Sequence, residues 1–199
     1  MIIAVDIDEV LADTVNTFCD VYNKKYRTKI KRQDFYNFKW WDIIGIDRFA
    51  FKEQFMGLIK QEHFFKKIPV KSGALAGISE LKENHTLMIV TGRPKSLAGI
   101  TEEWLIENFG DIFSSVNFTR EKILEPSVES KFSVCKRLKA EILIEDEIDN
   151  AAECASNGLT ALLFDAPWNQ QIAESDRIIR VHSWPEIIIW IKKYEVHVN

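Results

Sequence analysis

The stretch Ile2-Ile3-Ala4-Val5-Asp6-Ile7-Asp8-Glu9-Val10-Leu11-Ala12-Asp13 decides how this chain folds. Its first four residues form an unbroken apolar run, as in a strand buried on both faces. The run ends in acid. Asp6 and Asp8 are two residues apart, and side chains alternate along a strand, so the pair starts out on one side. Open α/β sheets bind ligands outside the carboxyl ends of their strands. A strand that ends in this acidic pair therefore predicts both the sheet and the edge where its chemistry lies.

Further apolar runs at 86–90, 115–118, 142–144, 159–164 and 178–181 read as the other buried strands. Between them the apolar residues take helical spacing. Leu97, Ile100, Trp104, Leu105 and Phe109 form one stripe, Val134, Cys135 and Leu138 a second, and Ala151, Ala152 and Ala155 a third. Short apolar strands alternating with amphipathic helices predict an α/β fold: a Rossmann-like, three-layer core around a parallel sheet. A last helix near 185–194 is entered through Ser183, a good N-cap, with Pro185 close behind. The rhythm fails only between 14 and 73. There Val15, Phe18, Cys19, Tyr22 and Tyr26 mark one helix, and Phe49, Phe55, Leu58 and Ile59 another, with Phe35, Phe38, Trp40 and Trp41 between them. The reading is a helical cap over 14–73 inserted into a core made of 1–13 and 74–199.

Of the 199 residues, 46% are hydrophobic and 28% charged, an ordinary globular composition. A net charge of -4 argues against a nucleic-acid polymer as partner. It allows a small phosphorylated substrate, because local cations and a metal can offset the overall sign. Cys19, Cys135 and Cys154 are odd in number and widely spaced, so neither a disulfide framework nor a zinc site is expected, and a reducing, cytoplasmic setting is. The opening apolar run is too short for a signal peptide or a membrane span. The histidines at 63, 85, 182 and 197 have no metal-ligand spacing. The oligomeric state is open, a homodimer included.

Three strands deliver polar groups to one edge. Asp6 and Asp8 follow the first, Thr91, Gly92 and Arg93 the second, Glu145 and Asp146 the fourth. Carboxylates gathered this way raise one another's pKa unless a cation joins them. Mg²⁺ fits, being hard and oxygen-seeking, and usually held by one or two carboxylates plus phosphate and water. Asp6 and Asp146 are the expected side-chain ligands and the Asp8 carbonyl a third, with Glu145 or Asp149 acting through water. Asp6 is placed to attack phosphorus, and Asp8 to protonate the leaving oxygen and then activate water. The Thr91 hydroxyl would bind phosphate, and Lys131 would stand beside it as a fixed cation. Arg93 is expected either to hold phosphate or to cap its loop. Among the cap aromatics, one or two of Trp40, Trp41, Phe35 and Phe38 would meet substrate, the rest forming the cap's own core. Trp168 is expected to pack against the main core, with Pro167 fixing its turn.

The order Asp6-x-Asp8, Thr91, Lys131, Glu145-Asp146 resembles the four motifs of the haloacid-dehalogenase-like (HAD) hydrolases, over almost the whole chain. That resemblance implies a Rossmann-like core, an aspartyl-phosphate route and Mg²⁺, with 14–73 as a cap of the superfamily's first type. Within the superfamily the chain is similar to the 5'(3')-deoxyribonucleotidase and 5'-nucleotidase group and its bacterial relatives. The features are 6–13, the aromatic cap, 119–122 and 164–169. The resemblance implies a nucleoside monophosphate substrate and adds Arg120 and Lys122 to the substrate contacts. It also makes Lys122 the alternative to Lys131 as the motif's cation. Lys131 is preferred because its helix leads straight into the Glu145-Asp146 strand. Glu9 departs from the pattern, since many members have glycine there. A phosphatase of another small metabolite such as a sugar phosphate, a non-catalytic phosphate-binding protein, and a phosphoacceptor receiver domain are the competing readings. The last is disfavoured because its acceptor aspartate follows a middle strand and its fold has no such insertion.

Overall fold

The computed structural model describes residues 1–62, 64–123, 125–171 and 175–198. His63 lies outside the described residues, as does the side chain of His197. Six strands form one all-parallel sheet: β1 (Ile2–Val5), β2 (Thr86–Pro94), β3 (Val116–Arg120), β4 (Ile142–Glu145), β5 (Thr160–Phe164) and β6 (Ile178–Val181), in the order β3-β2-β1-β4-β5-β6. The order reverses between β1 and β4, where Ile3, Ala4 and Val5 pair with Ile142, Leu143 and Ile144. That reversal opens a crevice at the carboxyl edge. The acidic end of β1 therefore faces the acidic end of β4.

The strand alternation builds two faces. Ile3, Val5, Leu87, Ile89, Ile142, Ile144, Leu162 and Phe164 point to the larger core, which includes residues of α4 (Ala74–Lys82), α5 (Ala98–Phe109) and α8 (Trp184–Val198). Ala4, Val90 and Leu143 point the other way, onto Val134 and Cys135 of α6 (Lys131–Leu138) and Cys154 of α7 (Ile148–Ser156). Ala161 and Leu163 on β5 meet Ala151 on that same face. Ser130 caps α6 by accepting a hydrogen bond from the Ser133 N–H at 3.2 Å, and the Ser183 hydroxyl accepts from the Glu186 N–H at 3.4 Å. The helical stripe at 97–109 begins as a 3₁₀ turn, Lys95–Leu97, before α5.

Three strands run past their predicted ends, β4 by one residue to Glu145, which pairs with Leu163. β2 continues through Thr91, Gly92 and Arg93 to Pro94, with a register shift against β3 between Thr91 and Pro94. β3 reaches Arg120. Thr91 pairs with Phe118 and Pro94 with Arg120, while Gly92 and Arg93 fall in the shift between them.

Between β1 and β2 lie α1 (Thr14–Tyr26), α2 (Trp40–Ile44) and α3 (Arg48–Glu62), with 3₁₀ turns at Arg32–Asp34 and Phe64–Lys66. Phe18 is the hub of this segment. Its ring lies 5.1 Å from Tyr22, 6.1 Å from Phe35, 4.7 Å from Trp40 and 5.9 Å from Phe55. The segment leaves and returns side by side: Ala12 bridges Val70, the Asp13 N–H donates to the Pro69 carbonyl, and the Lys71 N–H to the Leu11 carbonyl.

Candidate active site

The turn after β1 is wound around one carbonyl. Ile7 O accepts hydrogen bonds from the N–H groups of Val10, Leu11 and Ala12. This tightness presents Asp6 and Asp8 to the crevice and forces Glu9 into the left-handed region at φ 61°. The usual occupant of such a position is glycine, so Glu9 carries strain that its contacts must offset. The carboxylate has them. One oxygen accepts from the Val15 N–H at 2.8 Å, at the start of α1, and the other from Arg32 at 3.1 and 3.2 Å and from Lys71 at 3.4 Å.

At the switch point Asp6, Glu145 and Asp146 are all buried, with one oxygen from each lying within 4.8 Å of the others. The Lys131 ammonium enters from the first turn of α6, 2.9 Å from Asp6 and 2.7 Å from Glu145. Burial pushes the Asp6 carboxyl up to about 7, with Lys131 pulling it down and Glu145 and Asp8 pushing it further up. Asp146 is raised well above the ordinary range by burial and by the charges of Glu145 and Asp6. Burial works against the charge on Lys131, but the two carboxylates more than offset it and hold the ammonium more firmly than in water. Asp6 Oδ1 is buried without a hydrogen-bond partner among the described residues. An orphaned oxygen within a cluster of three carboxylates and one ammonium fits a hard divalent cation, which would satisfy the oxygen and the excess negative charge together.

Asp8 belongs to a different arrangement. Arg93 donates to it through Nε at 3.0 and 3.2 Å and through Nη2 at 2.7 Å, and Thr14 donates its hydroxyl at 2.6 Å. Burial alone would raise Asp8, but the Arg93 charge and these hydrogen bonds lower it below the usual carboxylate value. Arg93 itself is 2% exposed, between the rings of Phe65 at 4.8 Å and Trp104 at 5.6 Å. Arg93, expected either to hold phosphate or to cap its loop, holds Asp8 through Nε and Nη2, while its buried Nη1 has no hydrogen-bond partner among the described residues. Thr91 is fully buried, and its oxygen accepts from the Arg93 N–H at 3.1 Å.

A cleft of about 430 Å³ opens from these residues toward the cap and is lined, among others, by Gly92, Arg120, Phe38, Trp40, Trp41, Phe51 and Trp168. Lys122 is absent from its walls. That side chain is 73% exposed, 3.7 Å from Glu125, so it does not share the acidic cluster with Lys131. Asp149 is exposed and outside the cleft wall, whereas Glu147, not singled out in the sequence, lines it and has its carboxyl raised by burial. Glu145 is fully engaged, one oxygen by Lys131 and the other by the Glu147 N–H at 3.0 Å and Asn150 at 3.4 Å. That leaves Glu145 better suited to orient the cluster than to bind an ion directly. Trp168 is buried in the larger core, as expected, and also serves the site. Its indole N–H donates to Asp146 at 2.9 Å and its face meets Arg32 at 4.9 Å. The sequence signalled this only through 164–169 as a feature of the resemblance, since the fold alone brings Trp168 to Asp146.

The profile of a family described as 5' nucleotidase, deoxy (pyrimidine), cytosolic type C protein matches residues 1–194. The Bacillus subtilis protein YqfW is 26% identical over 198 residues, covering 98% of this chain and 95% of that one. A 5'(3')-deoxyribonucleotidase of Clostridium acetobutylicum is 24% identical over 185 residues, covering 92% and 91%. Among solved structures, a haloacid dehalogenase-like hydrolase from Streptococcus pneumoniae superposes with a TM-score of 0.67 at 13% identity, covering 96% of this chain and 97% of that one. A HAD-superfamily hydrolase from Geobacter sulfurreducens gives 0.62 at 15%, covering 96% and 95%. Those two likenesses bear on the fold. Among the described residues, no helix is long and apolar enough to cross a membrane.

Proposed function

We propose that this chain, which belongs to the cytosolic type C 5'-nucleotidase family, hydrolyses nucleoside monophosphates with Mg²⁺ through an aspartyl-phosphate on Asp6. Membership makes it a HAD-like phosphoric monoester hydrolase. The observation that carries the finer reading is the gathering of Asp6, Glu145 and Asp146 from two strands around one point, with the Lys131 ammonium 2.9 Å from Asp6.

Asp6 and Asp146 would hold the Mg²⁺, with the Asp8 carbonyl as a third ligand. The ion supplies neutralisation of the charge on the transferring phosphoryl group. The rest of the chemistry belongs to the chain. An Asp6 oxygen attacks phosphorus in line with the ester oxygen, and the P–O bond to the nucleoside breaks. Lys131 fixes the attacking carboxylate and faces the phosphoryl oxygens, joined by the Thr91 hydroxyl and the backbone N–H of Gly92. Asp8 gives its proton to the departing oxygen. It then takes one from the water that attacks the aspartyl-phosphate, releasing phosphate and restoring Asp6. The Arg93 contact favours ionised Asp8, which suits the second half. The negative charge of a bound phosphate opposes that preference and supports the protonated form needed in the first half. The cap aromatics offer stacking faces for a nucleobase, and a cap over the cleft would limit competing water.

The test is phosphate release from a panel of nucleoside and sugar monophosphates, with and without Mg²⁺. Turnover should require the ion and favour nucleotides. Asp6→Asn should fold and lose turnover by about ten-thousandfold or more. Retained turnover in that variant contradicts the nucleophile, and a clear preference for sugar phosphates contradicts the substrate class.

A further inference from the structure

We infer that Arg32, a cap residue, acts through Trp168 to position the Asp146 carboxylate, so that the cap tunes metal affinity at the core. The inference rests on Asp146 as a metal ligand in the reading above.

The contacts run without a gap. Arg32 lies in the 3₁₀ turn Arg32–Asp34 of the cap. Its Nε and Nη2 reach the same Glu9 oxygen at 3.2 and 3.1 Å, while its guanidinium carbon stands 4.9 Å from the centre of the Trp168 ring. The Trp168 indole N–H donates to Asp146 Oδ2 at 2.9 Å. Phe38, also from the cap, meets the edge of the same ring at 5.9 Å. Trp168 is thus covered by cap residues on its outer side and bonded to the acidic cluster on its inner side. Glu9 anchors the outer end. It is buried, holds the strained φ of 61°, and also meets Lys71, where the inserted segment returns. A guanidinium suits this place better than an ammonium, because its planar face can stack while its edge donates to a carboxylate.

The electrostatics make the inference testable. Arg32 brings positive charge toward a cation site, so its removal, acting only through space, should tighten metal binding. A positioning role predicts the opposite sign. Residues that orient a metal ligand are typically worth ten- to a hundredfold in affinity.

The experiment is calorimetric titration of the full chain with MgCl₂, without substrate, in the parent, Arg32→Ala, Arg32→Lys, Trp168→Phe and the Arg32→Ala/Trp168→Phe double variant. Arg137→Ala serves as a control, since that side chain is half-exposed and paired with Glu129. Near-ultraviolet circular dichroism checks that each variant is folded. Arg32→Ala should bind Mg²⁺ about tenfold more weakly than the parent. Arg32→Lys keeps the charge and the fold but should still bind more weakly. Trp168→Phe retains the ring and loses the N–H, and should bind about tenfold more weakly too. The double variant should be little worse than the weaker single one, as expected for residues acting in series. Unchanged or tighter binding in Arg32→Ala and Arg32→Lys overturns the inference, as does full additivity in the double variant. A parent that binds no Mg²⁺ overturns the metal reading beneath it, an outcome distinct from a parent that binds and variants that match it.

Discussion

At the scale of the residue, the site is a set of unequal carboxylates. Asp6 is pushed up to about 7 chiefly by burial, while Asp8 is held low because Arg93 and Thr14 outweigh its burial. The raised group has a consequence for stability. An acid whose folded pKa lies above its unfolded value near 3.8 binds more protons in the folded state. Its contribution is fully present below about pH 4 and is lost as pH rises toward 7. The chelated, metal-free protein should therefore lose stability to Asp6 ionisation across that window, and Asp6→Asn should show a smaller loss. Melting temperatures in EDTA between pH 5 and 8 test this, and identical slopes in the two proteins would contradict it. The acids, Thr91 and Lys131 were legible in the sequence because strand alternation and strand ends are local properties. The partners of these groups were not. Arg93 on Asp8 spans 85 residues, and Trp168 on Asp146 joins two different loops, so neither pairing leaves a periodic trace.

At the scale of the element, the six apolar runs were recognisable because a buried parallel strand needs little besides continuous apolar side chains. Their ends were harder to read. Thr91 to Pro94 look like a loop by composition and become strand only through β3. The inserted segment was visible as an interruption, and its two long helices as stripes, but the short α2 at Trp40–Ile44 has too few residues for a period to show. One packing detail gives a sharp prediction. A Cβ on Gly77 of α4 would lie 2.5 Å from Cε3 of Trp184, which is fully buried and donates its indole N–H to Val10 O at 3.0 Å. In a free helix Gly→Ala gains about 1 kcal/mol. Here overpacking costs about 1–3 kcal/mol and should prevail. Gly77→Ala should lower the melting temperature by roughly 2–6 °C. A rise would mean that Trp184 moves aside more easily than its buried hydrogen bond suggests.

At the scale of the whole molecule, the sheet and the inserted segment divide the work. The switch point between β1 and β4 gathers the charged groups. The cap contributes rings, with Trp40 tied into the Phe18 cluster and Phe38 and Trp41 on its margin. Removing a ring that stacks on a base should cost binding of about 1–3 kcal/mol, and only for substrates that carry a base. Trp41→Ala should thus raise KM for nucleoside monophosphates by about five- to a hundredfold, with little change for acetyl phosphate. Equal losses on both substrates would place the cap's role elsewhere. The proposed chemistry rests on a covalent bond between Asp6 and phosphorus. Acid-quenching the protein during turnover and reducing it with borohydride should convert a phosphorylated Asp6 to homoserine, read as a mass change in the peptide containing residue 6. An unmodified Asp6 in protein quenched at full turnover, or a modification at another carboxylate, would contradict the account.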